Sequence, residues 1–223
     1  MRPFRCSAGA RVLGKPEGGA HHGGQGRRGR RPGGKGEPVA FDVAAELQDQ
    51  LVWHWEHQAR PRLDGLTDEE YFWEPAEGCW NLRHRGTGRA PIAAGSGAFT
   101  IDFALPEPSP APVTTIAWRL GHILVGVLGV RNAAHFDGPP VSYQDFDYPG
   151  TADGALGLLD EYYGRWMQGV RSLGTEGLDR ACGPAEGDYA GRPMAALVLH
   201  INRELIHHLA EVALLRDLFA HRQ

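Results

Sequence analysis

The stretch from His200 to Leu218 contains neither Gly nor Pro, and its leucines, isoleucines and valines recur at helical spacing. It predicts a long amphipathic helix, running from about Pro193 to Ala220. On a wheel of about 100° per residue counted from His200, Leu197, Ile201, Leu205, Val212, Leu215 and Phe219 cluster between about 60° and 140°. His208 falls inside that arc at about 80°, Glu204 on its edge at about 40°, and His207 points away at about 340°. A carboxylate and an imidazole four residues apart on a face that should be dry need a reason, because an unpaired buried charge is costly. In an arbitrary helix such a pair is most often a solvated surface neighbour. A divalent metal is the alternative, since Glu-x-x-x-His places two ligands one turn apart.

A second helix gives that alternative weight. Thr114-Thr115 are good N-cap residues, and the apolar run behind them predicts a helix to about Phe136. His122 is the only ionisable group between Arg119 and Arg131. Gly126 and Gly129 lie four and seven positions on, on the same face, and predict open space beside the imidazole, either a cavity or close packing. Taken alone, His122 reads as a core histidine bonded to a carbonyl. Together with Glu204 and His208 it completes three protein ligands, the pattern of a metal with an open position.

Two further helices are expected. The first runs from about Phe41 to Leu63, with Leu47, Leu51 and His54 or Trp55 on one stripe and Arg60-Pro61 bending its end. The other spans roughly Asp153 to Leu173, with Leu156, Leu159, Tyr162 or Tyr163, Trp166, Val170 and Leu173 as core. Between the first two helices, Thr67 to Glu70 reads as a capping box. Phe99 to Ala104 alternates like a short strand that could pair with the Trp80 region. The fold class that follows is all-α, a four-helix bundle with a small β-hairpin inserted before the second bundle helix.

Charge divides the chain. Residues 1–38 carry nine of the 23 Lys/Arg but two of the 27 Asp/Glu, which leaves a net −11 for residues 39–223. An acidic domain repels nucleic acid, so a nucleic-acid partner is not expected. The Gly- and Arg-rich residues 1–38 are too poor in apolar side chains to fold alone and are expected to be a disordered extension. An anion-binding tail is the other reading, weakened by the lack of interleaved aromatics. Cys6, Cys79 and Cys182 are odd in number and scattered, which argues against a disulfide framework or a Cys-based zinc site. With no long apolar span and no apolar signal region, a cytoplasmic protein that does not enter a membrane is expected.

The segments Trp53-His54-Trp55, Gly65-Leu66-Thr67-Asp68-Glu69-Glu70-Tyr71, Trp118-Arg119-Leu120-Gly121-His122-Ile123 and Glu204-x-x-His207-His208-x-x-Glu211 resemble the DinB-like superfamily. The resemblance covers about residues 41–220. Many members hold a metal through three histidines; here Glu204 stands where the first histidine of the last helix would be. In that respect the chain is similar to the mycothiol-dependent maleylpyruvate isomerase branch, whose site uses His, Glu and His. The resemblance therefore implies His122, Glu204 and His208 as ligands of a divalent ion, zinc first, with nickel or iron also suited to such donors. It also implies thiol transfer or isomerisation, with mycothiol or a related small thiol as cosubstrate and an electrophilic second substrate. Hydrolysis at the same metal, or a non-catalytic metal- or ligand-binding role as a stress-response homodimer, are the other readings. His54, Trp118, Tyr162, Arg203 and His207 are the candidates for the pocket or for orienting the ligands.

Overall fold

A computed structural model describes residues 42–222; the predictions for residues 1–38 lie outside it. The first helix, α1 (Val43–His54), starts where Asp42 Oδ1 accepts the amides of Ala44 and Ala45. It widens into a π-helical turn (Trp55–Ala59) before a 3-10 turn (Pro61–Leu63). The expected bend is thus a widening: Arg60 N–H reaches back to Trp55 O one residue ahead of the proline, which has no amide to continue the ladder.

A short helix α2 (Asp68–Tyr71) follows, with Thr67 Oγ1 accepting from Glu70 N–H. Only half of the expected capping box forms, because the Glu70 carboxylate turns away to Arg216. The β insertion is larger than a hairpin. Strands β1 (Leu82–His84), β2 (Ile92–Ala94) and β3 (Phe99–Phe103) make a three-stranded antiparallel sheet with β3 in the centre. Leu82 pairs with Ile101, two residues beyond Trp80, which itself bridges to Thr114.

The second long helical segment is α3 (Ile116–His122), a π-helical stretch (Ile123–Gly129) and α4 (Val130–His135). Thr115 caps its start through Trp118 N–H. Then come α5 (Ala152–Asp179), capped by Thr151 and broken at Gly174 (φ 58°), and α6 (Met194–Ala220). A 3-10 segment, Pro184–Tyr189, lies in the loop between α5 and α6. The molecule is therefore mostly helical with one small sheet, and α6 packs against α1, α3 and α5.

The core contains Leu51, Leu120, Leu124, Leu128, Trp166, Leu205 and Val212, all but fully buried. Burial of each such side chain contributes about 1.5–3 kcal/mol. Asn202 Nδ2 donates to Leu47 O across α1 and α6 at 2.7 Å, fixing their relative height. Cys79 and Cys182 are both buried free thiols. Among the described residues no helix is long and apolar enough to cross a membrane.

Candidate metal centre

His208 is 1 % exposed, on the α6 face turned toward α3. Its ring meets that of His122 edge-on, with centroids 4.8 Å apart and planes at 88°. Each imidazole has its Nδ1 already engaged. His208 Nδ1 faces Glu211 Oε2 at 2.8 Å, and His122 Nδ1 faces Tyr143 Oη at 2.7 Å. His208 Nε2 is left buried with no hydrogen-bond partner. An orphaned buried nitrogen costs about 1–3 kcal/mol, so its persistence points to a ligand.

Glu204 supplies a carboxylate oxygen close to it. Its Oε2 lies 3.6 Å from His208 Nε2, too far for a hydrogen bond. Two donors each about 2.0–2.1 Å from a tetrahedral ion stand roughly 3.3 Å apart, so this spacing suits a shared metal. The other oxygen, Oε1, takes the Arg203 guanidinium at 3.3 Å; His200 Nδ1 lies 3.4 Å away but is itself the acceptor of Arg203 Nη2 at 2.6 Å. The site thus brings His122 and Glu204 each toward His208, but the three do not form one mutually close set.

Among the described residues, the one group whose ligand atoms all lie within 4.8 Å of one another is His207, His208 and Glu211. The chain therefore does carry a His/His/Glu cluster that could hold a metal. Its chemistry is less open than its spacing. Glu211 Oε2 is paired with Arg119 Nε at 3.2 Å as well as with His208, and a cation there would compete with the guanidinium. Burial pushes Glu211 up, yet the His208 bond and the Arg119 charge outweigh it and hold the carboxyl below its ordinary range. Glu211 reads as the group that orients His208, as carboxylates commonly do for ligating histidines.

The remaining candidates separate. Trp118 stacks on His122 with centroids 5.5 Å apart and donates Nε1–H to Asp102 O, so it lies against that imidazole. His207 is exposed and lies 3.4 Å from Glu211, and Arg203 is exposed beside Glu204. His54 is buried on α1 with Nδ1 on Gln58 Oε1 at 3.1 Å, and its Nε2 is orphaned. Tyr162 is not brought to His122; it packs against Gly129 two turns further on. The open space expected beside His122 is filled: a Cβ at Gly126 would overlap Tyr143 Oη, and one at Gly129 would overlap Leu124 O. Sequence reasoning gave no role to Tyr143, which lies in a loop without periodicity, or to Arg119. Glu211 was visible three residues past His208 but was assigned nothing.

Burial pushes His122 down to about 3, and His208, Arg119 and Arg131 act in the same direction. In metal-free protein, the unfolded chain takes up a proton at this residue near pH 6.5, whereas the folded chain refuses it until about pH 3. Stability must then fall as pH falls between those limits, by at most about 1.4 kcal/mol per pH unit for one group. His200, also lowered by burial, adds to the same slope. Urea midpoints between pH 7 and 5, taken with chelator present, should show a shallower loss for His122→Gln. Equal slopes would contradict a half-buried imidazole kept neutral by its surroundings.

A sequence profile of the DinB superfamily matches residues 50–212. Searches of curated proteins and of solved structures return no match. The matched span takes in α1 from its middle, the sheet, His122 and both Glu204 and His208, so more than half of the chain is accounted for. The chain belongs to the DinB superfamily.

Proposed function

We propose that this protein is a metal-dependent enzyme in which His122, Glu204 and His208 hold a divalent ion, zinc first, and a small thiol of the mycothiol type is activated toward an electrophile. The observation that carries the metal part is the buried, unpartnered Nε2 of His208, with Glu204 Oε2 3.6 Å away and the His122 ring edge-on. Bound there, the ion would supply a Lewis acid that lowers the pKa of a thiol or water brought to it. The chain's own groups have separate tasks. Glu211 and Tyr143 hold the two imidazoles by their Nδ1 atoms, and Arg119 balances the charge of Glu211. One carboxylate and two neutral imidazoles leave a divalent site at net +1, which favours an anionic thiolate. The thiol part rests on Glu204 standing in place of a histidine, as in the isomerase branch it resembles.

The experiment is a zinc titration of wild type, Glu204→Gln and Glu211→Gln, followed by mycothiol binding with and without metal. Glu204→Gln should weaken zinc about a hundredfold or more, since a first ligand is lost. Glu211→Gln should weaken it about 10- to 100-fold, the usual effect of removing a group that orients a ligand. The reverse order would transfer the ligand role to Glu211 and its neighbours His207 and His208. Saturable mycothiol binding that requires zinc supports the thiol reading; zinc binding without it leaves hydrolysis, with water in the thiol's place.

A further inference from the structure

Immediately after His122 the helix widens into its π-helical stretch, Ile123–Gly129, and π-turns recur at functional sites. On the inner side of this stretch Gly126 meets two groups at once. A Cβ there would overlap Tyr143 Oη and would come within 3.1 Å of His122 Cε1 and Nδ1. The backbone is held from outside as well, by Arg131 Nη1 donating to Gly126 O at 2.8 Å while Arg131 Nη2 binds Glu186. Tyr143 is equally fixed. Its ring stacks on Phe103 of β3 (centroids 6.2 Å, 15° between planes), and its carbonyl accepts from Tyr148 Oη at 3.3 Å. The loop that carries it is closed by Ser142 and Asp145 and tied to Ser96.

We propose that Tyr143 is the positioning residue for His122: its hydroxyl accepts the Nδ1–H, which commits Nε2 to the metal, and Gly126 is glycine so that this hydroxyl fits. The inference rests on the metal reading above and adds residues to it. The tautomer decides the matter. If Tyr143 donated its O–H to Nδ1, the imidazole proton would sit on Nε2 and that nitrogen would have no lone pair for a metal. With Nδ1–H donating to Oη, the Nε2 lone pair is free, and the tyrosine keeps its own proton for a second partner. The two imidazoles are thus oriented differently, His208 by the anion Glu211 and His122 by a neutral hydroxyl.

The test uses the full chain, with Zn²⁺ affinity measured by competition against a chromophoric chelator and the Co²⁺ absorption spectrum as a second readout. Tyr143→Phe should weaken Zn²⁺ about 10- to 100-fold and alter the Co²⁺ bands, with the metal-free melting temperature little changed. Tyr143→Gln, whose amide oxygen can accept the Nδ1–H, should recover part of the affinity. Gly126→Ala should weaken binding to a similar degree. The double variant Gly126→Ala with Tyr143→Phe should lose less than the product of the two single losses, because the Cβ no longer meets the hydroxyl and meets only the His122 ring, at 3.1 Å. Wild-type affinity in Tyr143→Phe, no recovery in Tyr143→Gln, or fully multiplicative losses in the double variant would each overturn the assignment. His122→Ala separates the two levels. If it binds Zn²⁺ as wild type does, the metal reading fails; if it loses Zn²⁺ while Tyr143→Phe does not, only the positioning role fails.

Discussion

Replacing His208 by Ala should remove the metal. Apparent binding free energies for structural zinc run to about 10–16 kcal/mol, and one of three ligands accounts for roughly a third, on the order of 4 kcal/mol or a thousandfold in Kd. Stability should report the same loss. An ion at about a hundred times its Kd stabilises the folded state by about 2.7 kcal/mol, which for a domain of this size raises Tm by roughly 5–10 °C. Wild-type protein should show that rise on adding zinc, and His208→Ala should show none. The metal-free proteins should differ less, because deleting the imidazole also removes a buried nitrogen that nothing satisfies. His207→Ala is the control. His207 is exposed, 3.4 Å from Glu211 and with its ring 5.0 Å from that of His208, and it does not face His122, so its loss should leave zinc binding within a few fold of wild type. A Tm rise retained by His208→Ala would remove His208 from the site, and a rise lost in His207→Ala would move the site to the exposed turn of α6.

The parts of this centre that sequence exposes are those written into helical periodicity. Six apolar positions of α6 define its dry face, and His208 stands out because an imidazole falls among them; His208 is indeed buried. His122 stands out in the same way within the apolar run of α3 and its continuation. The groups that set ligand orientation carry no such signal. Tyr143 reaches His122 from a loop fixed by its own turn bonds and by stacking on β3, a contact that no local pattern encodes. Gly126 is legible as an anomaly, yet the sequence cannot say whether a missing Cβ leaves a void or admits a neighbour; here it admits a hydroxyl. Glu204 shows the limit from the other side. Its position on the wheel is right, but its Oε1 accepts from Arg203, a partner on its own helix that competes with the centre. The sheet was half visible for a similar reason: β3 alternates, whereas the three-residue β2 is too short to show a period and forms only because β3 offers it an edge.

Glu70 shows how a tertiary partner overrides a local one, and it carries the largest expected effect on folding. Its spacing from Thr67 suits a capping box, but its carboxylate takes Arg216 instead, with Nε to Oε1 at 2.6 Å and Nη2 to Oε2 at 3.1 Å. The forked geometry matches a carboxylate in two bonds, which a backbone amide cannot equal. Arg216 Nη1 also donates to Arg62 O and Asp64 O, so one guanidinium ties α2 and the turn before it to the end of α6. Both partners are largely enclosed, at 6 % and 18 % side-chain exposure. Glu70→Ala would leave that arginine without its counter-charge, a change that costs about 3–5 kcal/mol. Against the 5–15 kcal/mol that hold an ordinary domain, such a loss should bring the urea midpoint down sharply. Replacing the pair together, Glu70→Leu with Arg216→Met, should restore much of it, because desolvation offsets most of the attraction in a buried ion pair. Zinc affinity should be unchanged in the double variant, since Arg216 lies about 12 Å along α6 from His208. A Glu70→Ala protein as stable as wild type would show that the pair is spectator to the fold, and a double variant no better than the single would place the stabilising role in the arginine's carbonyl bonds.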